Sequence, residues 1–219
     1  MSVSSREWPP SRWDDYWTRT EIPSEVRLAQ TKWVDRIINF VGITGLRLYS
    51  VADFGCGPAL TLFELARRFP KVNFSGFDFS SAVIQRNNDR VRDLVLHNLT
   101  FERSTLPNVP SELSFSLVLC IATLHYVKKS LLAIQNLLGT LKPGGFLIFN
   151  YPNRYSVYWY RRNADEEMKG RFALLLSGKN VLSKRVAEKA LARSCDNFWT
   201  LMGENINRAN PCVFVSKKA

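Results

Sequence analysis

Val51-Ala52-Asp53-Phe54-Gly55-Cys56-Gly57-Pro58-Ala59 is the stretch on which the fold of this chain turns. Residues 48–54 read as a strand, and residues 59–69 read as a helix. Between them stands Gly55-x-Gly57. Glycines permit a tight turn and let a ligand approach the backbone without meeting a Cβ. In open α/β sheets ligands sit at the carboxyl ends of the strands, where the strand order reverses. The stretch therefore predicts a ligand site as well as a fold.

The alternation continues downstream. Residues 72–77 read as a second strand, and Ser80 caps a helix to about 96. Residues 99–103 are a short third strand. Residues 115–121 are a fourth, apolar nearly throughout, as a central strand covered on both faces should be. A helix over 130–141 ends at Lys142-Pro143-Gly144-Gly145, and 146–150 is the fifth strand. Strands and helices alternating at this spacing imply a parallel sheet with right-handed crossovers. Residues 151–182 fit neither period and are read as a lid insertion. Beyond them, 184–194 is a helix, and 198–202 and 212–216 are strands.

Upstream, Ser24 caps a helix to about 41, and Gly42 stops it. The first 23 residues hold Trp8, Trp13, Tyr16 and Trp17 among prolines, which indicates an ordered arm packed on the body. The expected organisation is a single domain over 1–219. It comprises an arm and helix (1–47), a ligand-binding core (48–150), a lid (151–182), and a closing helix and strands (183–219).

Composition narrows the function. The chain is long enough for one well-buried α/β domain, and no apolar run approaches the roughly 20 residues of a membrane-spanning helix. The N-terminus has no apolar signal stretch, so a cytoplasmic protein is expected. Four cysteines without a CxxC pair and only two histidines leave no metal-ligand spacing, so no metal is expected. The net charge of +11 would attract polyanions or anionic small molecules. Residues 151–193 hold ten Lys/Arg against four Asp/Glu, so six of the eleven surplus charges fall there.

Asp78 closes the second strand, where an acid can accept hydrogen bonds from both hydroxyls of a ribose, in NAD and S-adenosylmethionine (SAM) sites alike. The dinucleotide fingerprint wants a third glycine to admit a pyrophosphate, and that position is Leu60. SAM has no phosphate and carries a cationic amino-acid end, which suits Asp53.

The stretch 51–58 resembles the first motif of class I SAM-dependent methyltransferases. Gly76-Phe77-Asp78-Phe79-Ser80 resembles their second. Residues 115–126, ending in Leu124-His125-Tyr126, resemble the fourth strand and following loop of the small-molecule branch. Leu141-Lys142-Pro143-Gly144-Gly145-Phe146 resembles the turn before their fifth strand. The resemblance implies a Rossmann-like, doubly wound sheet of seven strands with the last antiparallel, preceded here by a helical arm. It also implies SAM as cofactor. Gly55, Cys56 and Gly57 would form the loop under its methionine part, with Asp53 near the amino group. Asp78 would hold the ribose, Phe79 would pack near the adenine, and Ile121 would face the cofactor. Family members carry an acid after the third strand that bonds the adenine amino group. Here Arg103-Ser104-Thr105-Leu106 has none, so the Ser104 or Thr105 hydroxyl, or the backbone, takes that place.

Methyl transfer needs in-line alignment and exclusion of water, and a base only where the nucleophile arrives protonated. His125, just beyond the fourth strand, is the candidate base. Tyr16, Trp17, Tyr126 and Tyr151 are candidate acceptor walls, and Arg154, Arg161 and Arg162 candidates for an anionic group. The expected acceptor is a small molecule, aromatic or anionic. The alternatives are an RNA or protein methyltransferase, suggested by net charge, and a non-catalytic partner subunit, suggested by the missing acid.

Overall fold

The computed structural model of the chain describes residues 8–17, 22, 24–110, 112–201 and 212–218. Helices α1 (Pro10–Trp17) and α2 (Ser24–Thr44) precede strand β1 (Ser50–Phe54). Then follow α3 (Leu60–Arg68), β2 (Asn73–Asp78), α4 (Ser81–Asp93), β3 (Leu99–Arg103) and β4 (Phe115–Cys120). A single 3-10 turn, Leu124–Tyr126, leads to α5 (Ser130–Gly139) and β5 (Leu141–Asn150). Three short helices, α6 (Arg154–Asn163), α7 (Glu166–Arg171) and α8 (Ala173–Leu176), occupy the next stretch. The chain closes with α9 (Lys184–Leu191), β6 (Cys195–Leu201) and β7 (Cys212–Lys217).

Among the described residues the strands form one seven-stranded sheet, ordered β3-β2-β1-β4-β5-β7-β6. Pairing is parallel from β3 across to β5, and β7 runs antiparallel to both β5 and β6. The period of two is visible in the burial. Val51, Leu117 and Leu119 point to a core shared with Trp33 and Ile37 of α2 and Leu62 and Leu65 of α3. Ala52, Phe54, Val118 and Cys120 point to the opposite core, with Ile134 and Leu137 of α5 and Leu191 of α9. Burying each such leucine or phenylalanine is worth about 1.5–3 kcal/mol. Both faces of the central strands are thus covered, which is why β4 reads as unbroken apolar sequence.

Several boundaries depart from expectation. Helix α2 runs straight through Gly42 to Thr44, and the chain turns at Gly45, whose φ of 65° provides the left-handed exit. Residues 142–145, expected as a turn, belong to β5: Leu141 pairs with Phe115 before the register shifts to Leu117–Phe146. Gly145 allows this bulge, because a Cβ would lie 2.9 Å from the Lys142 carbonyl oxygen and 3.1 Å from that of Phe115. Residues 151–182, which show neither period in sequence, hold α6, α7 and α8. Strand β6 starts earlier than expected, at Cys195, and Met202 lies outside the described residues.

Candidate functional site

β1 lies between β2 and β4, so the order of strands reverses at its edge and the carboxyl ends of β1 and β4 diverge. A cavity of about 570 Å3 opens there. Asp53, Gly55, Gly57, Asp78 and Ile121 line it on the sheet side.

The turn after β1 is held by its own backbone. Gly55 N and Cys56 N donate to the Phe77 carbonyl at 2.7 and 3.1 Å, fastening the loop to the end of β2. Gly55 and Gly57 adopt φ of 80° and 50°. The two glycines are needed for different reasons. A Cβ on Gly55 would lie 2.2 Å from Thr123 Oγ1, so that glycine admits the loop after β4 rather than a ligand. A Cβ on Gly57 would meet nothing nearer than the Trp17 ring at 3.8 Å, so its face is open to the cavity.

Two side chains that sequence reasoning passed over complete the loop. Gln30 accepts from Leu60 N at 2.7 Å, and Asn87 donates to the Gly57 carbonyl at 2.8 Å. Gln30 also lines the cavity. Each lies some 30 residues away in sequence, so no local pattern marks it.

The two carboxylates are buried. Asp78 accepts from Gly57 N at 3.1 Å and Ser80 N at 3.0 Å, yet burial still raises its pKa. Asp53 is raised to about 7, first by burial and then by the charge of Asp78. Its Oδ1 is buried without a hydrogen-bond partner among the described residues. Ser80 caps α4 through Val83 N at 3.2 Å and donates to Asp14 of the arm. Phe79, Ser104 and Thr105 follow on the cavity wall, and Ser104 N donates to the Asp78 carbonyl at 2.9 Å.

The remaining wall is aromatic. Helix α1 lies over the cavity, with Trp13 edge-on to Phe79 and to Tyr126, at centroid distances of 6.4 and 4.8 Å. Trp8, Trp17, Tyr126, Tyr160 and Phe172 also line it. Arg86 donates to the Trp17 carbonyl at 2.9 Å, tying the end of α1 to α4.

Of the residues singled out from sequence, Asp53, Gly55, Gly57, Asp78, Phe79, Ser104, Thr105, Ile121, Trp17 and Tyr126 come together around this cavity. The others do not line it. Cys56 points into the core and contributes its backbone N–H. Tyr16 is buried against Trp8, Trp13 and Trp17. Tyr151 packs in the second core beside Phe149. His125 sits behind the wall, 6.0 Å from the Phe172 ring and 6.5 Å from that of Tyr160, and burial pulls its pKa down to about 4. Arg154, Arg161 and Arg162 lie on exposed α6, bonded to Tyr155, the Leu176 carbonyl and Tyr158 respectively. Arg171 is the cation on the cavity wall instead.

Among the described residues no cluster of three or more His, Cys, Asp or Glu could hold a metal, and no helix is long and apolar enough to cross a membrane.

Comparison with known proteins meets this geometry. The trans-aconitate 2-methyltransferase of Pseudomonas aeruginosa is 30% identical over 186 residues, covering 85% of this chain and 64% of that protein. The enzyme of the same name from Pseudomonas paraeruginosa is 29% identical over 152 residues, covering 69% of this chain and 52% of that one. The chain thus spans between half and two thirds of the length of these relatives. The magnesium protoporphyrin IX methyltransferase of Synechocystis, solved with S-adenosylhomocysteine (SAH) bound, shares the fold. Its TM-score is 0.63 at 15% identity, covering 95% of this chain and 94% of that one. Residues 47–196 match the family described as methyltransferase domain, which takes in the glycine turn, both carboxylates and the cavity's strand ends, and the chain belongs to that family.

Proposed function

We propose that this chain binds SAM at the glycine turn and transfers its methyl group to a small-molecule acceptor held among the aromatic rings. Asp53 carries the reading. A buried carboxylate oxygen on a cavity wall with no partner calls for a donor, and the cationic amino group of the methionine part is a fitting one. Asp78 would take the ribose hydroxyls with the lone pairs its two backbone donors leave free. Phe79 would pack near the adenine, with the Ser104 and Thr105 hydroxyls in place of the usual acid, and Ile121 would close the sheet side. The bound cofactor would supply an electrophilic methyl group on a sulfonium sulfur.

The chain's own part is to hold, orient and dry the reactants. Helix α1 covers the cavity, which would exclude water, while Trp13 and Tyr126 give an acceptor an aromatic wall. His125 is assigned a packing role behind Tyr160 and Phe172, since it is buried against those rings and does not line the cavity. The relatives' names support a small acceptor. A single domain over 1–219, with 151–182 as lid, accords with the one sheet. A cytoplasmic location accords with Cys56, Cys120 and Cys195, which are buried free thiols.

Calorimetry with SAH at pH 8 tests the reading. The wild-type chain is expected to bind, and Gly57→Arg and Asp78→Ala to lose binding. A wild-type chain that takes up no SAH and gains no thermal stability from it would overturn the proposal.

A further inference from the structure

The cavity is bipolar. Among its described lining residues the acids are Asp53 and Asp78, both at strand ends, and the sole Lys or Arg is Arg171, from α7. The arrangement around Arg171 is unusual for a half-buried cation. Its Nη1 donates to the Tyr16 hydroxyl at 2.5 Å, and its guanidinium carbon lies 4.7 Å from the centre of the Tyr16 ring. No carboxylate among the described residues pairs with it, and its Nε–H is buried without an acceptor. Buried charge is normally paired, because desolvation without a counter-ion is costly.

A second orphan stands beside it. Trp8 Nε1–H is also buried without an acceptor. It packs against Gly170, where an added Cβ would lie 2.6 Å from it, so it adjoins the residue before Arg171. Trp8 meets the same Tyr16 ring edge-on at 5.7 Å. Both residues line the cavity. Two N–H donors, one of them charged, are therefore shut in by the arm with nothing to receive them. A planar anion with two acceptor oxygens is the complement of such a pair.

From this we infer that the acceptor carries a carboxylate, anchored by Arg171 and Trp8 and enclosed as the arm settles on it. The inference rests on the methyltransferase reading and names the class of molecule that site takes. It also agrees with the absence of a base. The other titratable groups on the described wall at the arm end are the phenols of Tyr126 and Tyr160, both held protonated by burial. A carboxylate needs no deprotonation at neutral pH. The charges then divide the cavity: the acids receive the cationic end of the cofactor, and Arg171 receives the anionic acceptor.

The cofactor's own carboxylate is the other source of this chemistry, and the experiment separates the two. The SAH-loaded full chain is titrated with trans-aconitate, and with benzoate against uncharged benzamide. At least one acid is expected to bind, and benzoate to bind more tightly than benzamide. Arg171→Gln should weaken the acid about tenfold or more. Arg171→Lys should recover part of that loss, and Trp8→Phe, which keeps a ring and removes the N–H, should cost about threefold. SAH affinity should stay within about twofold in all three variants, which also shows that they fold. The anchor is refuted if neither acid binds the loaded wild type, if Arg171→Gln leaves acid affinity unchanged, or if the loss falls on SAH instead. A wild type that fails to bind SAH defeats the methyltransferase reading separately, and the same acids titrated into the free chain still decide the anchor.

Discussion

A buried acid whose pKa stands near 7 makes stability and binding depend on pH in opposite directions, and Asp53 is such an acid. Its folded-state pKa lies above the unfolded value of 3.8, so the folded chain holds that proton more tightly. Ionising it in the fold costs stability, beginning above about pH 4 and complete above about pH 7. Asp53→Asn should therefore stabilise the free chain at pH 8 by a few kcal/mol at most, on the order of the shift, and by nothing at pH 4. Urea unfolding at the two pH values measures this. Ligand affinity runs the other way. A cationic ligand needs the ionised form, so SAH affinity should rise up to about tenfold per unit from pH 5 to 7 and then level off, with protons released on binding. Asp53→Asn should flatten that profile. Calorimetry in buffers of differing ionisation enthalpy reads both effects. The glycines are separable at the same scale. Gly55→Ala drives a Cβ into Thr123 and should cost about 2–4 kcal/mol. Gly57→Ala meets no clash and should cost about 1 kcal/mol, from its left-handed backbone alone. Both glycines are legible in the sequence as a turn. That one accommodates a threonine 68 residues away is not.

Among the elements, α1 links cofactor and acceptor ends. It touches Phe79 through Trp13, Ser80 through Asp14, and Arg171 through Tyr16. Trp13→Ala removes the ring that bridges Phe79 and Tyr126. It should speed SAH release and raise amide exchange over residues 10–17, while leaving exchange in β1 and β4 unchanged. Stopped-flow displacement and hydrogen exchange give the two readouts. The aromatic content of the arm announces that it is ordered, but its amphipathic helix of eight residues carries no sign of what it covers. The stretch 151–182 is the reverse case. Its helices were hidden because α6 buries only Ser156 of its described side chains, so no apolar stripe is present to count. The caps are what mark it. Asn153 accepts from Tyr155 N and Ser156 N at 2.8 and 2.9 Å, and Ser156 Oγ accepts from Asn153 N at 3.2 Å. Asp165 caps α7 in the same way, accepting from Met168 N at 2.6 Å. Helices this short and polar stand on their ends and on packing, not on periodicity.

At the scale of the whole molecule, the ends of β1, β2 and β4, the arm and α7 line one cavity, so the proposed ligand would touch all of them at once. Ligand held at about 100 times its dissociation constant should add about 2.7 kcal/mol to stability. For a chain of this size that is a rise in melting temperature of about 5–10 °C. Differential scanning calorimetry with and without SAH measures it. The order of the core elements from β1 to β5, the parallel sheet and the glycine turn at its edge were written in the sequence. Each rests on local periodicity and turn chemistry, which a linear chain displays directly. That the last strand runs antiparallel was implied only by family resemblance, and its place between β5 and β6 came only with the structure, because nothing in a strand's composition states which edge it joins. Likewise, the sequence marks Asp53 and Asp78 as ligand-site candidates, but cannot bring Arg171 into the same cavity or set Trp8 against Gly170. Those residues lie far apart along the chain, and only the packing of the arm and α7 over the sheet brings two orphaned donors, one of them cationic, to the wall of the same cavity.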